Sequence, residues 1–350
     1  MTVRFQSEGR EYWSEAQTVS NDEPRIPYIA GPPIKNSKYL FGRQEMIDEL
    51  KDSLEDYSVA LLGPRRIGKT SLLYQLEKEF HNTGWNTIYI DLHEFCDLSP
   101  SEMQSVFRSK ILDKFTESQL DVPANSHEFQ KRLRDLGLKK LLILLDEVSV
   151  LVKSDRMPLH LRAMSKWSNP EIRILVAGTE SDLRKVTNAV QDRGSPPFNE
   201  FKRCEIGEIS YHDAQELLEK PILGKYVYEE KVIAKVLEIC GGQPFYLNVF
   251  AQLTLKAVRS EKGRKITNKH IEIASKEAIF ELSPWFYEFV EELDEPTRKA
   301  LAKIIRSQSL KAFTLYEEQL FNIGLIIGRR SNPKLFQLFV EWWNLRYGKE

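Results

Sequence analysis

The run Gly63-Pro64-Arg65-Arg66-Ile67-Gly68-Lys69-Thr70 fits the pattern G-x-x-x-x-G-K-[ST], and its residue types suit a nucleoside triphosphate. Glycines let the backbone curl until successive N–H groups point inward at phosphate oxygens. Lys69 is spaced to reach the β- and γ-phosphates, and Thr70 offers a hydroxyl to Mg²⁺. A helix starting at this point adds the positive end of its dipole. Arg65 and Arg66 face phosphates, a neighbouring subunit, or only solvent at the loop's outer rim. Further along, Leu141-Leu142-Ile143-Leu144-Leu145 ends in Asp146-Glu147. Asp146 is placed to hold Mg²⁺ directly or through water. Glu147 is placed to polarise an attacking water, which marks hydrolysis rather than phosphoryl transfer to another substrate. A third apolar run ends at Gly178-Thr179-Glu180. Thr179 either senses the γ-phosphate between the two carboxylate-bearing elements or serves as an ordinary helix N-cap.

These groups need strands and helices to hold them. Ser58 to Leu62 reads as a short strand entering the glycine loop, with Leu72, Leu73, Leu76 and Phe80 at helical spacing behind it. Strands are expected at Thr87 to Leu92, Leu141 to Leu145 and Arg173 to Ala177, and helices near Ser101 to Phe115 and His127 to Leu136. The unbroken apolar run at 141–145 fits a strand covered on both faces. Strands alternating with helices predict an α/β fold, a parallel sheet with helices on both sides. The strand signal stops after about residue 207. Ser210 with Asp213 resembles a capping box, and Val232, Ile233, Val236, Leu237 and Cys240 form one apolar helical face before Gly241-Gly242. Tyr246, Val249, Phe250 and Leu253 mark a further helix of a small helical domain. From about residue 283 two short helices precede Leu325-Ile326-Ile327, a polar turn from Arg329 to Pro333, and Leu335 to Leu338. Helices followed by such a hairpin fit a winged helix-turn-helix. The expected divisions are a flexible segment at 1–26, a nucleotide-binding domain at 27–207, a helical lid at 208–282 and a winged helix at 283–350.

The chain has 350 residues, 41% hydrophobic and 29% charged, with a net charge of −1. A globally basic surface for nucleic acid is thereby excluded. Cys96, Cys204 and Cys240 are far apart and form no C-x-x-C pair, which fits reduced thiols. The first residues lack the apolar core of a signal peptide, and no stretch approaches the ~18 apolar residues of a membrane span. A cytoplasmic protein is expected.

The chain resembles the STAND-type ATPases (signal-transducing ATPases with numerous domains) and their AAA+ relatives, the archaeal and origin-recognition ATPases. The resemblance covers about residues 27 to 345 and is carried by several motifs. Phe41-Gly42-Arg43-Gln44-Glu45 is similar to the family's GRE-type motif, and Gly63 to Ser71 to its GPRRxGKTS loop. Ser195-Pro196-Pro197-Phe198-Asn199 with Ile206 to Ser210 is similar to the stretch leading into the family's lid. Gly241-Gly242-Gln243-Pro244-Phe245 is similar to its GxP motif. The resemblance implies ATP rather than GTP, with adenine between the arm from Pro27 to Arg43 and Pro244 of the lid. No guanine-reading NKxD-type motif is visible. Two positions depart from the pattern. Glu180 follows Thr179 where many STAND members carry arginine, and the lid motif holds no basic sensor residue. Arg162, Arg184, Arg193 and Arg203 are either fingers acting on a neighbouring subunit's site or ion-paired surface residues.

From residue 283 onward there are ten Lys/Arg and nine Asp/Glu. The helix expected near Leu315 to Phe321 carries Glu317 and Glu318, which disfavours a recognition helix facing phosphates. Arg329, Arg330 and Lys334 give the wing a basic tip. A protein-packing role therefore stands ahead of DNA binding, and Trp342 and Trp343 read first as core packing. The leading expectation is a slowly hydrolysing, nucleotide-dependent conformational switch that binds ATP and ADP, with a protein partner or self-association. The alternatives are a DNA-binding AAA+ ATPase of the replication or transposition kind, and a non-catalytic scaffold stabilised by nucleotide.

Overall fold

A computed structural model describes residues 3–7, 10–14, 26–81, 83–116, 121–190 and 196–293, then 295, 298–299, 301–302, 305, 326–327, 330–331 and 333–347. The first segment is an antiparallel hairpin of β1 (Val3–Ser7) and β2 (Arg10–Ser14), where the polar, aperiodic sequence suggests a flexible lead-in or a contact to a partner. The sheet domain then runs α1 (Gln44–Asp56), β3 (Val59–Leu62), α2 (Lys69–His81), β4 (Asn86–Asp91), α3 (Pro100–Phe115), α4 (Ser126–Asp135), β5 (Lys140–Asp146), α5 (Met157–Met164), β6 (Glu171–Gly178), α6 (Glu180–Ala189) and β7 (Lys202–Glu205).

The five strands lie in the order β4-β5-β6-β3-β7, all parallel. Their side chains alternate between two cores, as the strand period of 2 requires. Leu141, Ile143 and Leu145 join Phe107, Phe129 and Leu161 on one face. Leu142 and Leu144 join Leu50, Leu72, Leu76 and Phe80 on the other. β7 was not read from the sequence. It is a four-residue edge strand, Lys-Arg-Cys-Glu, whose single buried residue is Cys204, so it carries almost no apolar signature.

Beyond the sheet come α7 (Tyr211–Glu219), β8 (Val227–Tyr228), α8 (Val232–Cys240), α9 (Pro244–Ser260), β9 (Lys265–Ile266) and α10 (Asn268–Glu281). β8 and β9 form a two-residue parallel pair, so strand structure does continue past residue 207. α9 buries twelve of its seventeen residues and is the axis of the lid. α11 (Ser283–Glu292) follows, then β10 (Ile326–Ile327), β11 (Arg330–Ser331) and α12 (Pro333–Tyr347).

The expected hairpin is present between β10 and β11, but its second strand is Arg330–Ser331 and not Leu335 to Leu338. Those leucines belong to α12. Pro333 suits the first turn of a helix, and Leu335, Leu338, Phe339 and Trp342 follow helical spacing. The expected helix at Leu315 to Phe321 lies outside the described residues, as do Leu325, Arg329, Arg193 and Ser195. Trp342 and Trp343 are buried, and the Trp342 indole donates to Ser283 Oγ at 2.7 Å. Phe286, Phe339 and Trp342 belong to the same hydrophobic cluster as Leu218, Val236 and Phe250 of the lid. Packing is therefore the role of both tryptophans. No helix among the described residues is long and apolar enough to cross a membrane.

An extended arm at residues 26–40 ties the two parts together. Tyr28 donates its hydroxyl to Leu218 O at 2.5 Å, and Ile29 N donates to Asn248 Oδ1 at 3.0 Å. Farther along, Ile34 N donates to Ser71 Oγ at 2.9 Å and Gln75 Nε2 to Lys35 O at 3.1 Å. One end of the arm is thus fixed to the lid and the other to α2.

Candidate functional site

The glycine loop leaves the central strand β3 and opens into α2. Its start is clasped from both sides: Gly63 N donates to Gly178 O at 3.1 Å, and Ile206 N to Leu62 O at 2.8 Å. A Cβ on Gly63 would lie 2.5 Å from Ile206 Cγ2 and 2.6 Å from Ile206 O, so the position tolerates no side chain. The loop curls through Arg66 at φ 61° and Gly68 at φ 110°, both in the left-handed region. Lys69 Nζ is buried at the centre of this curl and donates to Gly63 O and Pro64 O, each at 2.9 Å. Burial lowers the Lys69 pKa, against the opposing pull of Glu147, Asp146 and Asp182. Ile67 is buried in the core beneath the loop.

Asp146 ends β5 and is buried. It accepts from the Tyr89 hydroxyl and from Glu147 N, both at 3.1 Å. Glu147 adopts φ 57° and ψ 57°, a conformation costing about 1–3 kcal/mol for a non-glycine residue. Burial and then Asp146 raise the Glu147 pKa, while Lys69, His93 and Arg65 oppose the rise. Thr179 directly follows β6, the strand between β3 and β5, and is the N-cap of α6. Its hydroxyl donates to Asp182 Oδ2 at 2.7 Å and accepts from Asp182 N at 3.1 Å, the geometry of a helix N-cap.

Lys69, Thr70, Ser71, Glu147 and Thr179 line one cavity of about 460 Å³, within the range of small-molecule sites. Its other walls are Ile29 and Pro32 to Ile34 of the arm, and Pro244, Phe245 and Asn248 of α9. The lid and the arm that were expected to enclose a base therefore do meet the phosphate loop. Arg43 does not line this cavity. It is buried and donates through Nη2 to Ile67 O at 2.9 Å, bracing the loop from behind. Burial lowers its pKa to about 10, against the pull of Asp213 and Glu208. Glu208 is pushed up to about 7 by burial, against the Gly242 backbone and Arg43.

The loop arginines turn outward to α11. Arg65 Nη1 lies 3.3 Å from Glu288 Oε1. The Arg66 guanidinium stacks 3.1 Å from the Trp285 ring centre and 4.9 Å from that of Phe245. Of the finger candidates, Arg162 pairs with Glu200 at 2.6 Å, while Arg203 and Arg184 pair with Glu180 at 3.0 and 4.0 Å. Sequence reasoning did not single out Tyr89, His93, Asp182, Asn248, Trp285 or Glu288. Asn248 follows Pro244 by one helical turn and was within reach of the motif. Asp182 stands three residues after Thr179 and was likewise within reach as the second half of a capping box; the others arrive by tertiary contact and carry no sequence signal.

Among the described residues no group of three or more His, Cys, Asp or Glu can hold a metal ion. That suits Mg²⁺ taking one carboxylate and a hydroxyl from the chain and its remaining oxygens from phosphate and water. Thr70 lines the cavity, and Asp146 is buried at the end of β5 directly before the cavity-lining Glu147; these are the carboxylate and hydroxyl that would hold Mg²⁺.

Residues 55–196 match the family described as AAA domain. Together with the sheet order and the glycine loop, this match supports a parallel-sheet α/β fold of the P-loop NTPase kind for the first half of the chain. No curated protein matches the chain. Among solved structures, the Walker-type ATPase PABY2304 of Pyrococcus abyssi is similar over 88% of this chain and 98% of its own, at 20% identity and TM-score 0.66. A RuvB variant of Thermotoga maritima is similar over 85% of this chain and 93% of its own, at 15% identity and TM-score 0.50. The ORC1 protein of Aeropyrum pernix, solved in complex with DNA, aligns over 87% of this chain and 83% of its own, at 14% identity and TM-score 0.48. The first two likenesses show a shared fold.

Proposed function

We propose that this chain is a slowly hydrolysing, STAND-like regulatory ATPase, in which ATP bound between sheet domain and lid sets their relative arrangement. The observation that carries this reading is that Lys69, Thr70 and Glu147 face the same cavity as the arm and α9. A ligand that touches two bodies at once can shift their arrangement, provided its affinity differs between arrangements.

The residues divide the work. Lys69 exchanges the carbonyls of Gly63 and Pro64 for β- and γ-phosphate oxygens. The amides of the loop and the first turn of α2 surround the phosphates. Pro244, Phe245 and the arm enclose the adenine, and Asn248 fixes the arm through Ile29 N. Glu147 accepts a proton from the attacking water. Thr70 and Asp146 would hold Mg²⁺, which would supply positive charge against the phosphate oxygens. A protein partner or a second copy of the chain reads the resulting arrangement.

The test is calorimetric titration with ATP and ADP alongside a phosphate-release assay. The reading expects ATP binding that Lys69→Ala weakens about ten- to a hundredfold and hydrolysis that Glu147→Gln slows about 10²–10⁴-fold while binding remains. Absence of adenine-nucleotide binding by the unaltered chain would sink it.

A further inference from the structure

The contacts between the phosphate loop and α11 involve two adjacent arginines held in different ways. Arg66 is fixed. Its backbone is left-handed and its guanidinium lies 3.1 Å from the Trp285 ring centre, with Phe245 beside it. That stack holds the loop against α9 and α11. Arg65 reaches α11 through an exposed ion pair. Its partner Glu288 is 3.3 Å away, and the two side chains are 43% and 51% exposed, so the pair is weak and exchangeable. Arg65 and Glu288 also line the nucleotide cavity, together with Lys69, Thr70 and Glu147. A carboxylate thus stands at the phosphate end of the site on a cation that a terminal phosphate can also use.

We propose that Glu288 is a specificity residue of the nucleotide site, occupying Arg65 when no terminal phosphate is there and yielding it to a triphosphate. Resting on the ATPase reading above, this names how the C-terminal part of the chain senses the bound nucleotide. ATP draws Arg65 away from Glu288 and frees one of the two contacts described between the phosphate loop and α11. ADP, lacking the third phosphate, leaves the tie intact. Arg66 and Trp285 serve as the pivot on which α11 then moves. Trp342 is bonded to Ser283 at the start of α11, so the movement reaches α12.

The test is a double-mutant cycle on the full chain, read by ATP and ADP affinity. Glu288→Gln removes the competitor and keeps the shape. It is expected to tighten ATP about two- to fivefold, the scale of an exposed ion pair, and to leave ADP unchanged. In an Arg65→Gln background the same change is expected to do nothing to either nucleotide. Simple repulsion between Glu288 and phosphate predicts otherwise: tightening that persists without Arg65 and extends to ADP. That result, or no change in ATP affinity, overturns the proposal. Hydrogen exchange gives a second readout. ATP but not ADP is expected to raise exchange across residues 283–292, and Glu288→Gln alone to raise it without nucleotide. Equal exchange in all states overturns the proposal as well. If the unaltered chain binds no adenine nucleotide, the ATPase reading falls and this inference with it. Binding without these effects removes the inference alone.

Discussion

The strongest demands of the site fall on single side chains. Lys69 is buried with only two carbonyls as partners, and Glu147 is held in a left-handed conformation beside Asp146. Lys69→Ala is expected to weaken ATP binding about ten- to a hundredfold, since a hydrogen bond to a charged group contributes roughly 1.5–3 kcal/mol. Titration of the variant with ATP checks this, and unchanged affinity refutes it. Glu147→Gln is expected to retain binding and lose about 10²–10⁴ in turnover, the usual contribution of a general base. Single-turnover phosphate release measures it. The phosphate loop and the two carboxylates stand out in the sequence because their chemistry needs fixed spacing along a single loop or strand end; the cavity brings together Lys69, Thr70 and Glu147, and Asp146 is not among its lining residues. Thr179 was legible only as two alternatives, and its hydrogen bonds to Asp182 are those of the helix cap. Glu288 and His93 reach the cavity from distant segments, and nothing local in their sequence foretells it.

At the scale of elements, the arm and the stretch behind the loop join sheet domain to lid. Asn248→Ala is expected to cost about 1–3 kcal/mol of stability, because Ile29 N loses its acceptor in a half-buried place. It should also weaken nucleotide binding several-fold; thermal melts and titrations of the same sample check both. Glu208 offers a pH test. Its folded pKa, about 7, lies above the ordinary carboxylate value, so the fold favours the protonated form. The favourable contribution is present below the ordinary value and is lost as pH rises through 7. Glu208→Gln is therefore expected to stabilise the protein by about 1–2 kcal/mol at pH 8, after discounting for partial exposure, and by little at pH 5. Denaturant melts at the two pH values decide it, and an equal effect at both would refute the assignment. The long apolar strands and amphipathic helices were readable from periodicity. β7, β8 and β9 were not, because two to four residues cannot display a period. Leu335 to Leu338 was read as strand because four residues do not separate a period of 2 from one of 3.6.

Across the whole molecule, one hydrophobic cluster runs from α7 to α12 and joins lid and C-terminal helices. Trp342→Ala is expected to cost about 3–5 kcal/mol and to loosen the lid as well as the C-terminus. Exchange protection in α8 and α10, which α12 contacts, would fall together with that of α12. Loss confined to α12 would show the two parts to be separate units. The order of strands has a consequence of its own. Because β6 lies between β3 and β5, the strand that leads to the lysine and the strand that ends in the acids run two strand spacings apart, about 10 Å. Among the described residues Lys69 forms no ion pair and rests on its own loop's carbonyls instead. An idle site with shorter spacing would short-circuit, cation quenched by anion, and every visitor would first have to prise them apart. The intervening strand is a spacer that keeps opposite poles from touching, so their charge stays available for whatever arrives to bridge the gap.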